Sequence, residues 1–375
     1  MLKHRLILPF LLLASLCIAQ KYPRGIPQEQ DSLYEEIPEK APLTQALYRS
    51  VGGSASLKQY TPTPGNQGAF GTCAAFACAY SARTIAEARF NNWTDRSKIT
   101  QHAFSPGFIY RVSEPNNYKC WGAYTSEVLA NIEQYGVPKL DDFPNTCPIA
   151  YPNRTAFSQA ASFKIKGFVT LFGSAAGRKQ KVQSVQMSLA QGNPVVISMI
   201  CPDSFDDAVG VWRPTERPED STNGREHGRH AMCVVGYDDQ KHGGAFEILN
   251  SWGTGWGNQG FIWITYDDFA DFVYQGFEML PLSAPKPVVG PIHLKGSVQF
   301  VENSGAEMPV VLDGTTYKFK KAYTEGTRFR IYLNNDEPAY VYAFGTDLSN
   351  TLFPIFPSDP SISPALTYNK NQVAI

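Results

Sequence analysis

The sequence lacks an excess of charge of either sign. Its 33 lysines and arginines balance 34 aspartates and glutamates, which leaves a formal net charge of -1 over 375 residues. A chain so close to neutrality has no electrostatic reason to bind nucleic acid or an anionic membrane surface. We therefore expect neither kind of partner.

Long hydrophobic runs are missing beyond the N-terminal segment. There, a positively charged start precedes an apolar run over Leu6–Leu16. The run ends with the short segment from Cys17 to Ala19. The run is too short to span a bilayer and has the layout of a secretory signal peptide cleaved before Gln20. A lipidated Cys17 is the alternative, although bulky Leu16 stands where a small residue is usual. We therefore expect no membrane span in the mature chain and a secreted, periplasmic or cell-surface location.

Patterns typical of metal centres are also absent. No His-x-x-x-His or Cys-x-x-Cys pair occurs, and His102, His242 and His293 lie in no ligand pattern. His227 is expected to be a surface residue of a polar loop. We therefore expect no metal and no cofactor.

Of the seven cysteines, one lies in the predicted signal peptide and six remain in the mature chain. Export implies an oxidising compartment, where these residues fit three bridges, or fewer bridges and free thiols. Sequence alone does not fix the pairing. Cys120 and Cys147 bracket a predicted helix, and we favour a bridge between them. Cys78 and Cys233 are expected to be buried thiols or a structural pair, and Cys201 has no obvious partner.

Composition divides the chain into parts of different kinds. After the signal peptide (1–19), residues 20–56 are rich in proline, glutamine and glutamate, which predicts an extended lead-in with little independent structure. Residues 57–282 form the main block. A Pro-rich linker (283–291) follows it. Residues 292–375 alternate apolar and polar residues between turn signals, which predicts a small, β-sandwich-like accessory domain.

The main block places helical patterns before strand patterns. Helices are predicted over Cys73–Phe90, Thr125–Tyr135 and Val182–Gln191 from their start and stop signals. Short β-branched runs such as "VVISMI" and "HAMCVVGYDD" then predict buried strands. Helices first and strands later indicate an α+β domain with two segregated halves.

The stretch "GNQGAFGTCAAFACAYSAR" places Cys73 where a glycine-rich turn becomes a helix. The positive end of a helix dipole lowers a cysteine pKa, and a neighbouring imidazole completes the activation of a thiol nucleophile. Taken alone, however, a cysteine is more often a buried residue or half of a disulfide. A catalytic interpretation therefore needs support from other residues.

Other positions in the main block supply that support. The side-chain amide of Gln67, together with the backbone amide of Cys73, would form an oxyanion hole. His230 begins one apolar strand and Asn250 ends the next, so adjacent strands would bring the two side by side. Asn250 would then fix the imidazole tautomer, and Trp252 would shield that hydrogen bond from water.

This combination resembles the papain-like cysteine peptidases over residues 57–282. The order agrees with that family, in which the cysteine lies near the mature N-terminus and the histidine and asparagine lie far downstream. The resemblance implies a helical lobe, a β-barrel lobe and an active cleft between them. The matching residues are Gln67-Gly68, Gly71-Thr72-Cys73, His230-Ala231, Asn250-Ser251-Trp252-Gly253 and Gly255-Trp256-Gly257.

The resemblance also implies a role for each catalytic residue. Cys73 would be the nucleophile, His230 the general base and acid, and Asn250 the residue that orients the imidazole. Gln67 would donate a hydrogen bond to the oxyanion. The reaction would be hydrolysis of a peptide bond through a thioester acyl-enzyme.

A substrate-binding strand is implied as well. Cys120-Trp121-Gly122-Ala123 resembles the corresponding strand of the family, so Trp121 and Gly122 are expected to bind substrate. Ala231 and Trp252 would border the same site.

The chain departs from the family pattern at several positions. The upstream cysteine of the nucleophile motif is absent, since Phe70-Gly71-Thr72 precedes Cys73. Ala123 replaces the second glycine of the substrate strand, and Arg229 replaces a glycine common before the catalytic histidine. The lead-in (20–56) is shorter and richer in proline than the family's helical pro-segment, so latency by that route is not expected.

The leading interpretation is a secreted, monomeric cysteine endopeptidase that acts on protein or peptide substrates. Two alternatives use the same residues: a thiol-dependent acyl-transfer enzyme or cell-wall amide hydrolase, and a binding module without catalysis. Residues 292–375 resemble, more weakly, a β-rich domain of unknown function appended to secreted bacterial proteins. Packing, or attachment to a cell surface or another protein, is expected of this unit. The short lead-in and the appended unit favour a bacterial source.

Overall fold

The structure is a computed structural model, and part of the chain lies outside its description. The predicted signal peptide (1–19) and the predicted linker (283–291) belong to that part. The residues described are 22–28, 30–41, 52–222, 224–280, 295–335, 339–346, 351–359, 361–366 and 372–374.

Short helices dominate the first half of the main block. The helix α1 runs without a break through α-helical Cys73–Ala75, π-helical Phe76–Arg83 and α-helical Thr84–Phe90, as predicted for Cys73–Phe90. Four of the six later helices start at a side-chain cap. At one of them, Ser105 Oγ accepts a hydrogen bond from the amide of Phe108. The later helices are α2 Arg96–Gln101, α3 Pro106–Ser113, α4 Thr125–Tyr135, α5 Arg154–Ala160, α6 Arg178–Ala190 and α7 Tyr266–Phe272. Single 3₁₀ turns cover Tyr34–Glu36, Lys58–Tyr60, Ala161–Phe163, Asp203–Phe205 and Lys241–Gly243.

Strands dominate the second half. They are β1 Ser54–Ser56, β2 Phe168–Thr170, β3 Val195–Cys201, β4 Val211–Trp212, β5 Ser221–Thr222, β6 Arg225–Glu226, β7 Gly228–Asp238, β8 Ala245–Leu249, β9 Phe261–Thr265 and β10 Val273–Met279. Eight of them form one sheet in the order β2-β10-β3-β7-β8-β9-β4, with β1 paired to β7. Each pairing in the sheet is antiparallel except β4 with β9. The α+β fold class is therefore confirmed.

The sheet and the helices share one hydrophobic core, and this core positions the site. Buried residues from α1, α3 and α4 pack with those from β3, β7 and β8. Strand β7 is buried over nearly its whole length, which agrees with the apolar pattern of its sequence. Because α1 begins beside β7, the N-terminus of the helix and the start of the strand face the same region. None of the helices described has the length and apolar character that crossing a bilayer requires.

The C-terminal unit, residues 295–374 as far as they are described, consists of strands and turns. A three-stranded sheet has the order β11-β14-β19, and β12–β13, β15–β18 and β16–β17 form two-stranded pairs. The all-β character predicted for this unit is confirmed for its described residues. Its strands are β11 Gly296–Glu302, β12 Val310–Asp313, β13 Thr316–Phe319, β14 Phe329–Asn335, β15 Ala339–Tyr340, β16 Ala343–Thr346, β17 Leu352–Phe356, β18 Ala365–Leu366 and β19 Gln372–Ala374.

The lead-in makes contacts that its composition did not predict. Residues 22–41 without Glu29, the lead-in segment, are packed against the main block instead of having little structure of their own. Ile26, Tyr34 and Ile37 are buried in the common core. Composition gave no sign of this packing because it counts prolines and polar residues, whereas these apolar side chains pack on a surface that the main block provides.

Candidate active site

Cys73 lies at the first turn of α1 and is completely buried. Its helix starts there because Gly71 brings the chain against the neighbouring loop, with the Gly71 amide donating to the carbonyl of Cys120 at 2.7 Å. The backbone amides of Ala231, Gly25 and Ala74 lie near the sulfur and act to lower its pKa. Burial outweighs them and raises the pKa of Cys73 above its usual value.

His230 and Asn250 form the pair that the sequence predicted. His230 lies on β7, and Asn250 directly follows the adjacent strand β8. The distance between His230 Nε2 and Asn250 Oδ1 is 2.8 Å. Since the amide oxygen accepts, Nε2 carries the proton and Nδ1 is left as the basic nitrogen. Nδ1 is buried and has no hydrogen-bond partner among the described residues.

The ionisation of His230 is suppressed in this structure. Burial lowers its pKa to about 3, the hydrogen bond to Asn250 opposes this shift, and the charge of Arg24 adds to it. With the raised pKa of Cys73, this leaves both groups neutral near pH 7. The arrangement therefore holds a thiol and an imidazole, not yet an ion pair.

Trp252 covers the histidine–asparagine hydrogen bond, as predicted. Its ring stacks on the imidazole of His230 with centroids 4.7 Å apart, and the tryptophan is only 4% exposed. Phe205 and Trp256 pack against its other edges at 5.6 and 5.2 Å. This aromatic cluster keeps water away from the pair and fixes the orientation of the ring.

Gln67 is tied to the loop that carries Asn250. Its amide donates to the carbonyl of Ser251 at 2.9 Å, and its Oε1 accepts from Ser251 Oγ at 2.6 Å. The Nε2 group then points back, donating to the carbonyls of Phe70 at 2.7 Å and Pro23 at 3.4 Å. A carbonyl oxygen of the lead-in thus lies at the donor predicted for the oxyanion.

The predicted substrate strand lies along the same cleft. Gly122 has a φ of 150°, and the neighbouring Trp121 is 75% exposed at the rim. Ala231 is buried, with its amide near the sulfur of Cys73. The structure therefore brings Gly122 and Ala231 to the floor of the cleft and places Trp121 on its outer edge. The expected disulfide between Cys120 and Cys147 is present and closes this loop.

The lead-in segment crosses directly over the site. The Ala123 amide donates to the carbonyl of Gly25 at 2.9 Å, and the Ile26 amide donates to the carbonyl of Arg229 at 3.2 Å. Gly25 fits only because it has no side chain, since a Cβ there would overlap the carbonyl of Gly71. The segment therefore pairs with both walls of the cleft and buries Cys73 beneath it.

Tyr22 and Arg24 fasten the segment on the side of Trp252. The Tyr22 ring stacks on the indole with centroids 4.6 Å apart. Arg24 Nε donates to the carbonyl of Cys201 at 2.7 Å, and its Nη2 meets Asp206 Oδ1 at 2.8 Å. The Arg24 side chain is 1% exposed, so these contacts replace its hydration completely.

Arg229 holds the segment on the opposite side. Its carbonyl accepts from Ile26, and its Nη1 donates to the carbonyl of Gln28. Its guanidinium also lies over the ring of Tyr274, 5.7 Å from the centroid. The arginine that departs from the expected glycine is thus a contact residue of the lead-in segment.

The structure also tests the predictions for the remaining cysteines and for one histidine. Cys78, Cys201 and Cys233 are free and buried, so the alternative of a Cys78–Cys233 bridge is wrong. The prediction that His227 is a surface residue is wrong, since it is only 6% exposed. It directly precedes Gly228, where β7 begins.

Sequence reasoning missed the residues that close the site. Tyr22, Arg24 and Gly25 belong to no motif, and their region was identified by its composition. The available signal was the order "YPRGIP", in which prolines favour extended backbone on both sides of a glycine small enough to cross a narrow cleft.

Known proteins resemble this chain in sequence and in fold. Residues 56–273 match the family model described as papain family cysteine protease. Cysteine proteinase 3 of Entamoeba histolytica is 24% identical over 238 residues, which cover 62% of this chain and 68% of that protein. Mouse cathepsin K is 27% identical over 208 residues, covering 54% of this chain and 56% of its own length. The alignments therefore span roughly two thirds or less of these relatives.

A solved structure shares the fold. The crystal structure of xylellain, a cysteine protease from Xylella fastidiosa, superposes with a TM-score of 0.56 at 20% sequence identity. The superposition covers 70% of this chain and 96% of xylellain. At this identity the likeness concerns the fold.

Proposed function

Because the chain belongs to the papain family of cysteine proteases, we propose that it is an endopeptidase made as a latent precursor. Cys73 is its nucleophile, His230 its base and acid, Asn250 the orienting residue and Gln67 the oxyanion donor. The observation that carries this proposal is the hydrogen bond between His230 Nε2 and Asn250 Oδ1, at 2.8 Å, which leaves Nδ1 unprotonated, buried and without a hydrogen-bond partner among the described residues.

The chemistry follows from these positions. His230 Nδ1 takes the thiol proton while Cys73 Sγ attacks the scissile carbonyl carbon. The amides of Gln67 and Cys73 stabilise the oxyanion that forms. The intermediate then collapses to a thioester, and His230 gives the proton to the departing amine. Water, deprotonated by His230, cleaves the thioester and restores the thiol.

The occupied cleft supports a polypeptide substrate. Residues 22–28 lie there as extended backbone, paired to Ala123 on one wall and to Arg229 on the other. These pairings use main-chain groups that every peptide possesses, so the cleft recognises extended chain before it recognises side chains. The predicted signal peptide is consistent with a protease that works outside the cytoplasm.

Latency accounts for the electrostatic state of the site. The lead-in segment buries Cys73 and His230 completely, and burial disfavours the charge-separated pair that attacks substrate. Removal of the segment lets water reach both groups. The helix dipole of α1 and the imidazolium would then favour the thiolate.

The test is labelling with an epoxysuccinyl peptide inhibitor, read by mass spectrometry, before and after proteolytic processing of the full chain. We expect one adduct, at Cys73, after processing, and no adduct in Cys73→Ser or His230→Ala. Turnover of peptide substrates should follow the same pattern. Transfer of the acyl group to added amines in preference to water would favour the acyl-transfer alternative. A processed protein that stays unlabelled would contradict the proposal.

A further inference from the structure

The end of the lead-in segment lies between the main sheet and the C-terminal unit. On one side, the amide of Lys40 donates to the carbonyl of Thr170, in β2, at 2.8 Å. On the other side, Glu39 donates to the carbonyl of Ser361 at 2.5 Å and accepts from the amide of Ser363 at 2.8 Å. Glu39 thus forms a parallel bridge to each neighbour, and the segment acts as a strand shared by both.

Side chains extend this junction. Ala41 of the lead-in segment, Met187 of α6, and Phe356 and Leu366 of the C-terminal unit form one buried apolar cluster. Leu366 is completely buried and Phe356 is 4% exposed. The cluster therefore draws one residue or more from each of the three parts of the chain.

Burial within the C-terminal unit is concentrated at this junction. On strand β17, Phe356 is buried, whereas Phe353 is 47% and Leu352 is 63% exposed. Elsewhere in the unit, Tyr317 and Phe344 are 67% and 57% exposed. The unit therefore has its best-packed surface where it meets the lead-in segment.

Direct contact between the unit and the main block is also present. Ala365 packs against Val169 and Leu280. This contact is apolar and small, because the alanine contributes a single methyl group. The shared strand supplies the backbone hydrogen bonds, and thus the directional part of the junction.

We propose that the C-terminal unit is an internal clamp whose binding partner is the lead-in segment. Residues 361–363 capture Glu39 as an added strand, and Phe356 and Leu366 cover Ala41. The unit and the segment are therefore held or released together. The consequence for Cys73 rests on the function proposed above, whereas the binding of segment to unit does not.

The test uses the full chain and four variants. Glu39→Pro removes the amide that donates to Ser361 and leaves the C-terminal unit itself unchanged. Phe356→Ala opens the apolar cluster, and Phe353→Ala, on the same strand but exposed, is its matched control. Gly25→Val displaces the segment directly and serves as the reference for an open site.

Two readouts are taken on each protein. Hydrogen–deuterium exchange of peptides covering residues 22–28 reports release of the segment, and epoxysuccinyl labelling reports access to Cys73. We expect Glu39→Pro to raise both rates by about tenfold, as the loss of one backbone hydrogen bond predicts. Phe356→Ala, which removes a buried aromatic side chain, should raise them by at least as much. Phe353→Ala should behave as wild type.

Each remaining outcome decides between the two proposals. If Gly25→Val exchanges rapidly over residues 22–28 while Glu39→Pro and Phe356→Ala exchange as slowly as wild type, the clamp is refuted. If exchange rises in both junction variants but Cys73 stays unlabelled in every protein, including Gly25→Val, the clamp stands and the proposed endopeptidase function fails.

Discussion

Gly25 and Cys73 occupy one narrow space between the backbones of Gly71 and Gly122. A Cβ on Gly122 would approach the carbonyl of Gly25 to 2.6 Å, and a Cβ on Gly25 would overlap Gly71. The covering segment therefore depends on the absence of side chains at the point where it passes the sulfur. The residue at position 25 therefore controls access to the sulfur of Cys73.

Replacing Gly25 with valine should open the site. The added side chain has no room against the carbonyl of Gly71, so the segment has to leave the cleft at that point. We expect epoxysuccinyl labelling of Cys73 to be faster by at least about tenfold, a change of about 1.4 kcal/mol in the closing equilibrium. Gln30→Val, at an exposed position of the same segment, is the control. Equal rates for the two variants would contradict the closed arrangement.

The pH dependence of thiol reactivity should differ between the closed and the open protein. In the closed state, burial raises the pKa of Cys73 above 9.0 and lowers the pKa of His230 to about 3. The thiolate then forms only in alkaline solution, and alkylation by iodoacetamide should rise above about pH 9 in wild type. In Gly25→Val, water and the imidazolium stabilise the thiolate, so alkylation should already be substantial near pH 7. If the rate of alkylation depended on pH in the same way in both proteins, the segment would not be the cause of the raised Cys73 pKa.

Residues whose types and order along the chain match a known kind of reaction could be predicted from the sequence. Cys73, His230 and Asn250 are of that kind, because the order of helix, strand and following strand brings them together. Their geometry is as expected, whereas their catalytic roles stay predictions. Arg24 and Arg229 could not be predicted, since most of their partners are backbone carbonyls, which every residue has and no pattern marks.

The lead-in segment behaves as an additional element of the sheet. Its Lys40 meets Glu278 Oε2 at 2.6 Å, with both side chains almost completely buried. Ser188 and Asn193 donate hydrogen bonds to the same carboxylate, at 2.6 and 3.0 Å. The segment therefore satisfies a charge that the main block would otherwise bury with fewer partners.

Replacing Lys40 with methionine should destabilise the full chain. Breaking a buried ion pair by removal of one partner costs about 3 kcal/mol, because the remaining charge is uncompensated. Urea unfolding of Lys40→Met should show this loss, and the double variant Lys40→Met/Glu278→Gln should recover part of it. A single variant within about 0.5 kcal/mol of wild type would show that Glu278 does not depend on the segment.

Two helices carry acidic groups that oppose each other. Glu114 follows α3 and Glu127 lies in the first turn of α4. Burial, with the charge of Glu127, raises the pKa of Glu114 to about 7. Burial raises the pKa of Glu127 as well, and Asp31 of the lead-in segment adds to this shift. Protonation of these two carboxyls therefore stabilises the packing of the two helix ends.

Replacing Glu114 with glutamine should remove a loss of stability between pH 4.5 and 7. The folded-state pKa exceeds the unfolded one, so the stabilising proton is fully bound below about pH 4.5 and is lost as the pH rises through 7. We expect a higher Tm for Glu114→Gln than for wild type at pH 8 and no gain at pH 4. The exposed Glu35→Gln should change neither value. A gain of the same size at both pH values would exclude the ionisation of Glu114 as its cause.

At the scale of the whole molecule, three parts of the chain meet along one strand. Among the described residues, the main block and the C-terminal unit touch directly at Ala365 and at Met187, and both pair with residues 39–41. The stability of the junction thus depends on a segment that processing would remove. Under the proposed processing, the two folded parts would be coupled in the precursor and only weakly attached to each other afterwards.

Calorimetry should reveal this coupling. We expect a single unfolding transition for the wild-type full chain, since the shared strand makes the parts unfold together. Glu39→Pro should give two transitions, because the backbone link to Ser361 is lost while each part keeps its own contacts. Phe353→Ala should keep one transition. Two transitions already in wild type would mean that the junction transmits no stability.

The fold of the main block was predictable because its periodic apolar patterns specify local elements that pack on each other. Helices at Cys73–Phe90 and Thr125–Tyr135 appear where their caps and stop signals predicted them. The path of the lead-in segment was not predictable, because its position is set by a surface that exists only after the rest has folded. The same holds for the junction at Glu39, whose partners Ser361 and Ser363 lie more than 300 positions away along the chain.

Because the chain continues from Ala41 to Gly52, the lead-in segment is covalently linked to the cleft that it covers, and this link sets its effective concentration there. Ten residues, 42–51, join the segment to the domain that it covers. Over so short a tether a bound peptide experiences an effective concentration of roughly millimolar, so even weak pairing keeps the cleft filled. A single cut in the tether turns this into binding between separate molecules. In a dilute extracellular fluid the freed peptide would then be lost by simple dilution, and the opened enzyme would have no means of closing again.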